Sequence, residues 1–263
     1  MSSLRAPPWG ICVIKSAMKK IILIGCLILI SACQPATPTP EPTLAPTATL
    51  PPTPVPATGT PEPTPTLEPT PTPLPRFFTN QFDSSLAGWV ILQAGNDSVP
   101  NISTENSALR LEMDFPHTWL YVLYGAQDYA DVHADTQFTN SALSPASMGL
   151  VCRYSEENGW FEYNVSTDGT YNVLYGKWLS VGIADYLPVI DGSSKEIKQS
   201  GETQHIGLTC NDTTLGLYIN DNLVRSVDVS RYELTEGKVG LTASSFENTP
   251  VIASFDFITV SEP

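Results

Sequence analysis

Residues 77–263 predict an all-β fold, a β-sandwich or barrel, and their length suits a single two-sheet antiparallel jelly roll. Three observations predict it. Short runs rich in β-branched and aromatic residues recur from Phe77 onward, broken by Gly, Asn and Asp. Within them the pattern alternates: Phe161, Tyr163 and Val165 point one way, Trp160, Glu162 and Asn164 the other. Asp168-Gly169 then separates two such runs, a strong signal for a two-residue hairpin turn. No stretch of this region carries a helical period.

In chain order the predicted strands are 108–114, 119–125, 133–139, 148–154, 160–166 and 170–175. They continue at 204–210, 215–220, 223–229, 238–244 and 251–260, with a weaker turn signal at Asn220-Asp221-Asn222. A segment of this size buries a substantial core as one unit.

Composition divides the 263 residues into three parts. Residues 34–76 hold 16 of the 24 prolines and 12 threonines, with three Glu and one Arg. They lack aromatics and cannot build a core, so they predict a disordered stalk favouring polyproline II. Fully extended at about 3.1 Å per residue, the stalk reaches about 130 Å. Residues 77–263 carry 8 Lys+Arg against 24 Asp+Glu, which argues against nucleic acid as a partner.

Residues 1–33 predict an export segment. Lys19 and Lys20 precede an apolar run over 21–30, too short to span a bilayer comfortably and suited to a signal peptide. The following Ile30-Ser31-Ala32-Cys33 resembles the bacterial lipoprotein box, after which Met18 reads as the true start. The resemblance implies cleavage before Cys33 and lipidation of its thiol. The expected location is then the bacterial cell envelope, lipid-anchored, with the domain facing the extracytoplasmic side and a monomeric state.

The domain carries a second resemblance. Phe82-Asp83, Gly88-Trp89, Gly149-Leu-Val-Cys-Arg-Tyr154, Gly159-Trp-Phe-Glu-Tyr-Asn-Val165 and Asp168-Gly169 follow one another in order. Leu208-Thr-Cys210, Leu217-Tyr-Ile-Asn220, Gly237-Lys-Val-Gly-Leu241 and Phe255-Asp256 come after them. The set resembles concanavalin-A-like (LamG-type) jelly rolls, including extracellular bacterial domains related to 3-keto-disaccharide hydrolases. The resemblance covers nearly all of 77–263 and implies a fold far more than a function.

Cys152 and Cys210 are the only cysteines past Cys33. An even pair in an exported domain predicts a disulfide; two separate buried thiols are the competing reading. No zincin, nucleophile-elbow or phosphate-loop pattern occurs, and His117, His133 and His205 form no metal motif. The alternating carboxylates of family 16 glycoside hydrolases are absent, because Glu162 is alone on its strand face. Asp128, Asp131 and Asp135 are weak candidates for a structural Ca²⁺, and no other cofactor is expected.

Aromatic side chains beside polar groups suit sugar rings. Trp160, Glu162 and Asn164 on one face, with Arg153 on the adjacent strand, are therefore the candidate ligand-binding residues, and Trp119, Tyr121 and Leu123 share another face. The leading expectation is a non-catalytic, lectin-like module for extracellular polysaccharide. A carbohydrate-active hydrolase and a structural or protein-interaction module are the alternatives.

Overall fold

A computed structural model of the chain describes residues 75–142 and 144–263. The export segment, Cys33 and the stalk through residue 74 lie outside the described residues. The strands are β1 (Phe78–Asn80), β2 (Trp89–Gly95), β3 (Asn101–Glu105), β4 (Ala108–Met113) and β5 (Thr118–Tyr124). Then come β6 (Val132–Asn140), β7 (Ala146–Ser155), β8 (Gly159–Ser166), β9 (Thr170–Ser180) and β10 (Ile183–Ser193). The last are β11 (Thr203–Asn211), β12 (Thr214–Ile219), β13 (Asn222–Asp228), β14 (Lys238–Ser245) and β15 (Val251–Ser261).

They form two antiparallel sheets, as predicted. One runs β13-β12-β11-β6-β15-β4-β3 with β1 also on β15; the other runs β10-β9-β8-β7-β14-β5-β2. All eleven predicted strands are present. β1, β2, β3 and β10 were not predicted. Three of them are sheet edges and β1 is a three-residue addition, so none needs the two-faced pattern that marks an inner strand.

Both predicted turns exist, but the two-residue hairpin expected at Asp168-Gly169 is found at Asn220-Asp221 instead. Asn220 and Asp221 both take positive φ, 48° and 63°, and make the true two-residue hairpin between β12 and β13. Asp168-Gly169 belongs to a three-residue loop, closed by Gly169 N–H on the Ser166 carbonyl at 3.0 Å. Gly169 there adopts φ 91°.

The main core lies between the sheets. Leu109, Leu111, Phe138, Phe255 and Ile258 from one sheet meet Leu120, Val122, Leu150, Phe161 and Tyr163 from the other. Each such side chain, fully buried, contributes about 1.5–3 kcal/mol. A Cys152–Cys210 disulfide joins β7 to β11 and so ties one sheet to the other.

Strand β6 alternates buried and half-buried residues along its whole length, the mark of one covered face. In β7 and β8 nearly every residue is buried, so the middle of the seven-stranded sheet is covered on both faces. The second cover is the β9–β10 hairpin. Its tip reaches the far edge of its own sheet, where the Gly95 amide of β2 donates to the Gly182 carbonyl at 3.0 Å. The first and last strands in the sheet order thus touch, and the sheet curls nearly shut around its outer face.

Candidate functional site

The curled face holds a second apolar cluster: Ala94, Tyr121, Leu123, Val151, Tyr154 and Trp160, with Leu92, Trp119, Trp178, Ala184 and Tyr186 packed on it. Period-two geometry delivers Trp160, Glu162 and Asn164 from β8, as expected. The structure adds Tyr121 from β5, so the two aromatic faces separated in the sequence reading are one. Gly176 lies opposite Trp160 on β9, and a Cβ there would sit 2.4 Å from the indole ring. Only glycine leaves room for that side chain.

Glu162 is fully buried at the centre. Its Oε2 accepts from the Tyr121 hydroxyl at 2.9 Å and from Trp160 Nε1 at 3.0 Å, and its Oε1 accepts from Asn164 Nδ2 at 2.9 Å. With its proton on Glu162, Tyr121 accepts in turn from the Tyr186 hydroxyl, 2.7 Å away on β10. Burial raises the Glu162 carboxyl above the ordinary carboxylate value, against the three donors, which lower it. Burial, then the Glu162 charge, raises the Tyr121 phenol well above its usual value. This centre is a closed polar network inside an aromatic shell. None of Trp160, Glu162 and Asn164 is open to solvent.

Arg153 belongs elsewhere. The register between β7 and β8 shifts between Cys152 and Ser155, and Arg153 takes φ 53° there. Its guanidinium donates to the Ala130 carbonyl (3.2 and 3.0 Å) and to the Leu234 carbonyl (2.8 Å), 3.6 Å from Asp131. It therefore pins two loops, around residues 130 and 234, and does not join the Glu162 network.

Those loops border the open space of the site. A cavity of about 1080 Å³ lies at one end of the curled face, under the β9–β10 tip. Trp178 and Tyr154 line it, with Gln93 from β2, Ser155 at the end of β7, Glu156 and Asn158 from the β7–β8 turn, residues 233–237 from the loop before β14, and Lys238 at the start of β14. Trp178 Nε1 donates to the Tyr154 hydroxyl at 2.9 Å, which fixes the indole. Burial raises the Tyr154 phenol, the Trp178 hydrogen bond lowers it, and the Glu156 charge raises it.

Trp178 and Tyr186 were missed in the sequence because the predicted strand stopped at residue 175. The one signal near them is Val181-Gly182, a turn dipeptide lying between Trp178 and Tyr186.

The three aspartates diverge. Asp128 pairs with Lys238 Nζ at 3.1 Å, and Asp131 accepts the Asp212 amide at 2.8 Å. Asp135 lies 2.9 Å from His133 Nε2 on β6 and 3.9 Å from His205 Nε2 on β11. Among the described residues, no three His, Cys, Asp or Glu side chains are grouped to hold a metal ion.

Known structures share the fold at low identity. A Bacillus licheniformis beta-glucanase superposes with TM-score 0.52 and 11% identity, over 71% of this chain and 98% of that one. A Bacteroides ovatus mixed linkage glucan GH16 protein in complex with G4G4G3G product gives 0.51 and 8%, over 70% and 99%. A Bacillus subtilis protein of unknown function with a galectin-like fold gives 0.51 and 12%, over 70% and 94%. At these identities the likeness is one of fold. No protein-family model and no curated protein matches the chain.

Proposed function

We propose that this chain is a non-catalytic glycan-binding protein, lipid-anchored at Cys33 on the extracytoplasmic side of a bacterial membrane, its β-sandwich carried on the Pro/Thr-rich stalk. The observation that carries the reading is the open cavity of about 1080 Å³ beside Trp178 and Tyr154. A sugar ring offers an apolar face to an aromatic side chain and hydroxyls to polar neighbours. Gln93, Ser155 and Asn158 supply such neighbours around the aromatic pair.

Hydrolysis centred on Glu162 is disfavoured by the state of that carboxyl. A retaining glycosidase needs two carboxyl groups about 5–5.5 Å apart, reachable by substrate. Glu162 has both oxygens engaged and no solvent exposure. The test is affinity electrophoresis of the full chain, purified in detergent, through gels containing β-glucans, chitin derivatives or other polysaccharides. Retardation by at least one polysaccharide, lost in Trp178→Ala, is the expected result; free migration in all of them contradicts the reading.

One observation favours a second reading, a protein-interaction module. Leu179 and Val181 at the hairpin tip and Val90 and Ile91 of β2 are exposed and line the cavity together. Sugar-independent partner capture, abolished by Val181→Asp, supports that alternative.

A further inference from the structure

Two of the cavity's walls are strand edges. Residues 90–93 of β2 and 178–182 of the β9–β10 hairpin line it as two unbroken runs. Side chains alternate between the faces of a strand, so an unbroken run lines a cavity through its backbone edge. The runs meet at one end, where the Gly95 amide donates to the Gly182 carbonyl at 3.0 Å, and part toward Val90 and Trp178. On the hairpin side β9 outruns its neighbour. Its pairing with β8 ends at Gly176, so residues 177–180 have only β10 beside them. The cavity is a slot between two edges of one sheet, with the place of a strand left open.

The β2 edge is unpaired and unguarded. Gly95 points its amide away from β5, and Asn96 points its own back, to the His117 carbonyl at 2.9 Å. By alternation, Gln93 and Ile91 also direct N–H and C=O toward the cavity. None of these four groups has a hydrogen-bond partner among the described residues. Charges, prolines and bulges are what keep other chains off a sheet edge. Of the strands that end the two sheets, β10 carries Pro188, two aspartates and two register shifts. β13 carries Arg225, Asp228 and one shift, and β3 carries Glu105. β2 has no charge, no proline and no shift, and its Val90 and Ile91 are exposed.

Such an edge recognises another extended backbone, through main-chain hydrogen bonds at strand spacing. Trp178 and Tyr154 line the same cavity. From this we infer that the ligand is a glycan carrying a short peptide, the peptide added as a strand along β2 and the sugar at the aromatic end. The inference rests on the cavity being the glycan site. The peptide pairs with the amides and carbonyls of Ile91 and Gln93, and small or apolar side chains on it suit Val90 and Ile91. Proline at the paired positions is excluded, because it has no N–H to give. The same rule excludes the chain's own residues 34–76, with their 16 prolines, as the occupant.

The experiment is calorimetric titration of the full chain in detergent with three probes: an N-acetylated disaccharide carrying a short alanine-rich peptide, the same disaccharide without it, and the peptide alone. The peptide-bearing disaccharide should bind at least about tenfold tighter than either part. Hydrogen exchange should slow at the Ile91 and Gln93 amides with that probe and not with the bare disaccharide, while Val90 and Leu92, turned toward β5, stay as they were. Ile91→Pro removes an outward N–H that the fold does not use, so it should erase the gain from the peptide and keep the disaccharide affinity. The exchange measurement decides the matter on the unaltered chain if that variant fails to fold. Equal affinity for the disaccharide with and without peptide overturns the inference and leaves the glycan reading standing. Equal affinity for the free peptide overturns it in favour of the protein-interaction alternative. Binding of none of the three also overturns it, and the polysaccharide gels then decide the glycan reading by themselves.

Discussion

Tyr186 and Tyr121 share a 2.7 Å hydrogen bond although four strands, β9, β8, β7 and β14, separate theirs in the sheet order. Only a sheet curled back on itself brings such residues together. The bond fastens the β9–β10 hairpin over the Glu162 network, helped by Tyr186 stacking on Trp119 at 5.8 Å.

Removing that hydroxyl loosens the hairpin without opening a cavity. Tyr186→Phe should cost about 1 kcal/mol in urea unfolding. It should also speed hydrogen exchange in β10 and leave β6 and β11 unchanged. Unchanged exchange in β10 would show that the curl is held by packing alone.

Glu162 makes stability depend on pH in a defined direction. Its folded pKa lies above the usual 4.5, so the folded state holds the proton more tightly than the unfolded chain. Its contribution is most favourable below 4.5 and declines as pH rises through the raised value. Glu162→Gln lacks this titration and differs otherwise by a pH-independent offset. Urea unfolding from about pH 4 to 8 should therefore show wild type losing ground to Glu162→Gln as pH rises. A constant difference between the two contradicts the burial of the carboxyl.

The Cys152–Cys210 bridge closes a loop of sequence separation 58 between the sheets. Replacing both cysteines by alanine should lower stability by about 4 kcal/mol in the chain-entropy description. Thiol titration of the denatured, non-reduced domain should find neither cysteine free. Detection of both thiols contradicts the bridge.

Arg153 positions two loops of the cavity while lying outside it. Arg153→Met leaves the Ala130 and Leu234 carbonyls without their donors and should cost about 2–4 kcal/mol. Faster exchange at residues 128–131 and 233–237, with weaker glycan retention in variants that stay folded, is the expected signature. Retention at wild-type strength with those loops loosened contradicts the positioning role.

The inner strands were legible in the sequence because both of their faces are specified. Trp160, Glu162 and Asn164 were assigned to one face of β8, and they do converge there. Three of the four sheet edges, β2, β3 and β10, were not legible. β10 contains Pro188 and Gly192 and has no fully buried residue, so neither propensity nor alternation marks it as a strand. Without β10 the curled face reads as open, and Glu162 reads as a surface carboxylate awaiting a sugar. The hairpin turns it into the centre of a closed network and moves the open space to Trp178 and Tyr154. Arg153 escaped for a local reason: a register shift beside it redirects its side chain, and no residue pattern announces such a shift.

The most direct measurement is the response of the Trp178 indole N–H resonance as oligosaccharide is added to the isotope-labelled chain. Glycan binding in the cavity should shift the Trp178 signal and the backbone signals of Asn158 and Gly237, and leave Thr209 and Tyr218 on the opposite sheet unmoved. An unmoved Trp178 signal under saturating oligosaccharide, or shifts confined to the opposite sheet, would contradict the cavity as the glycan site.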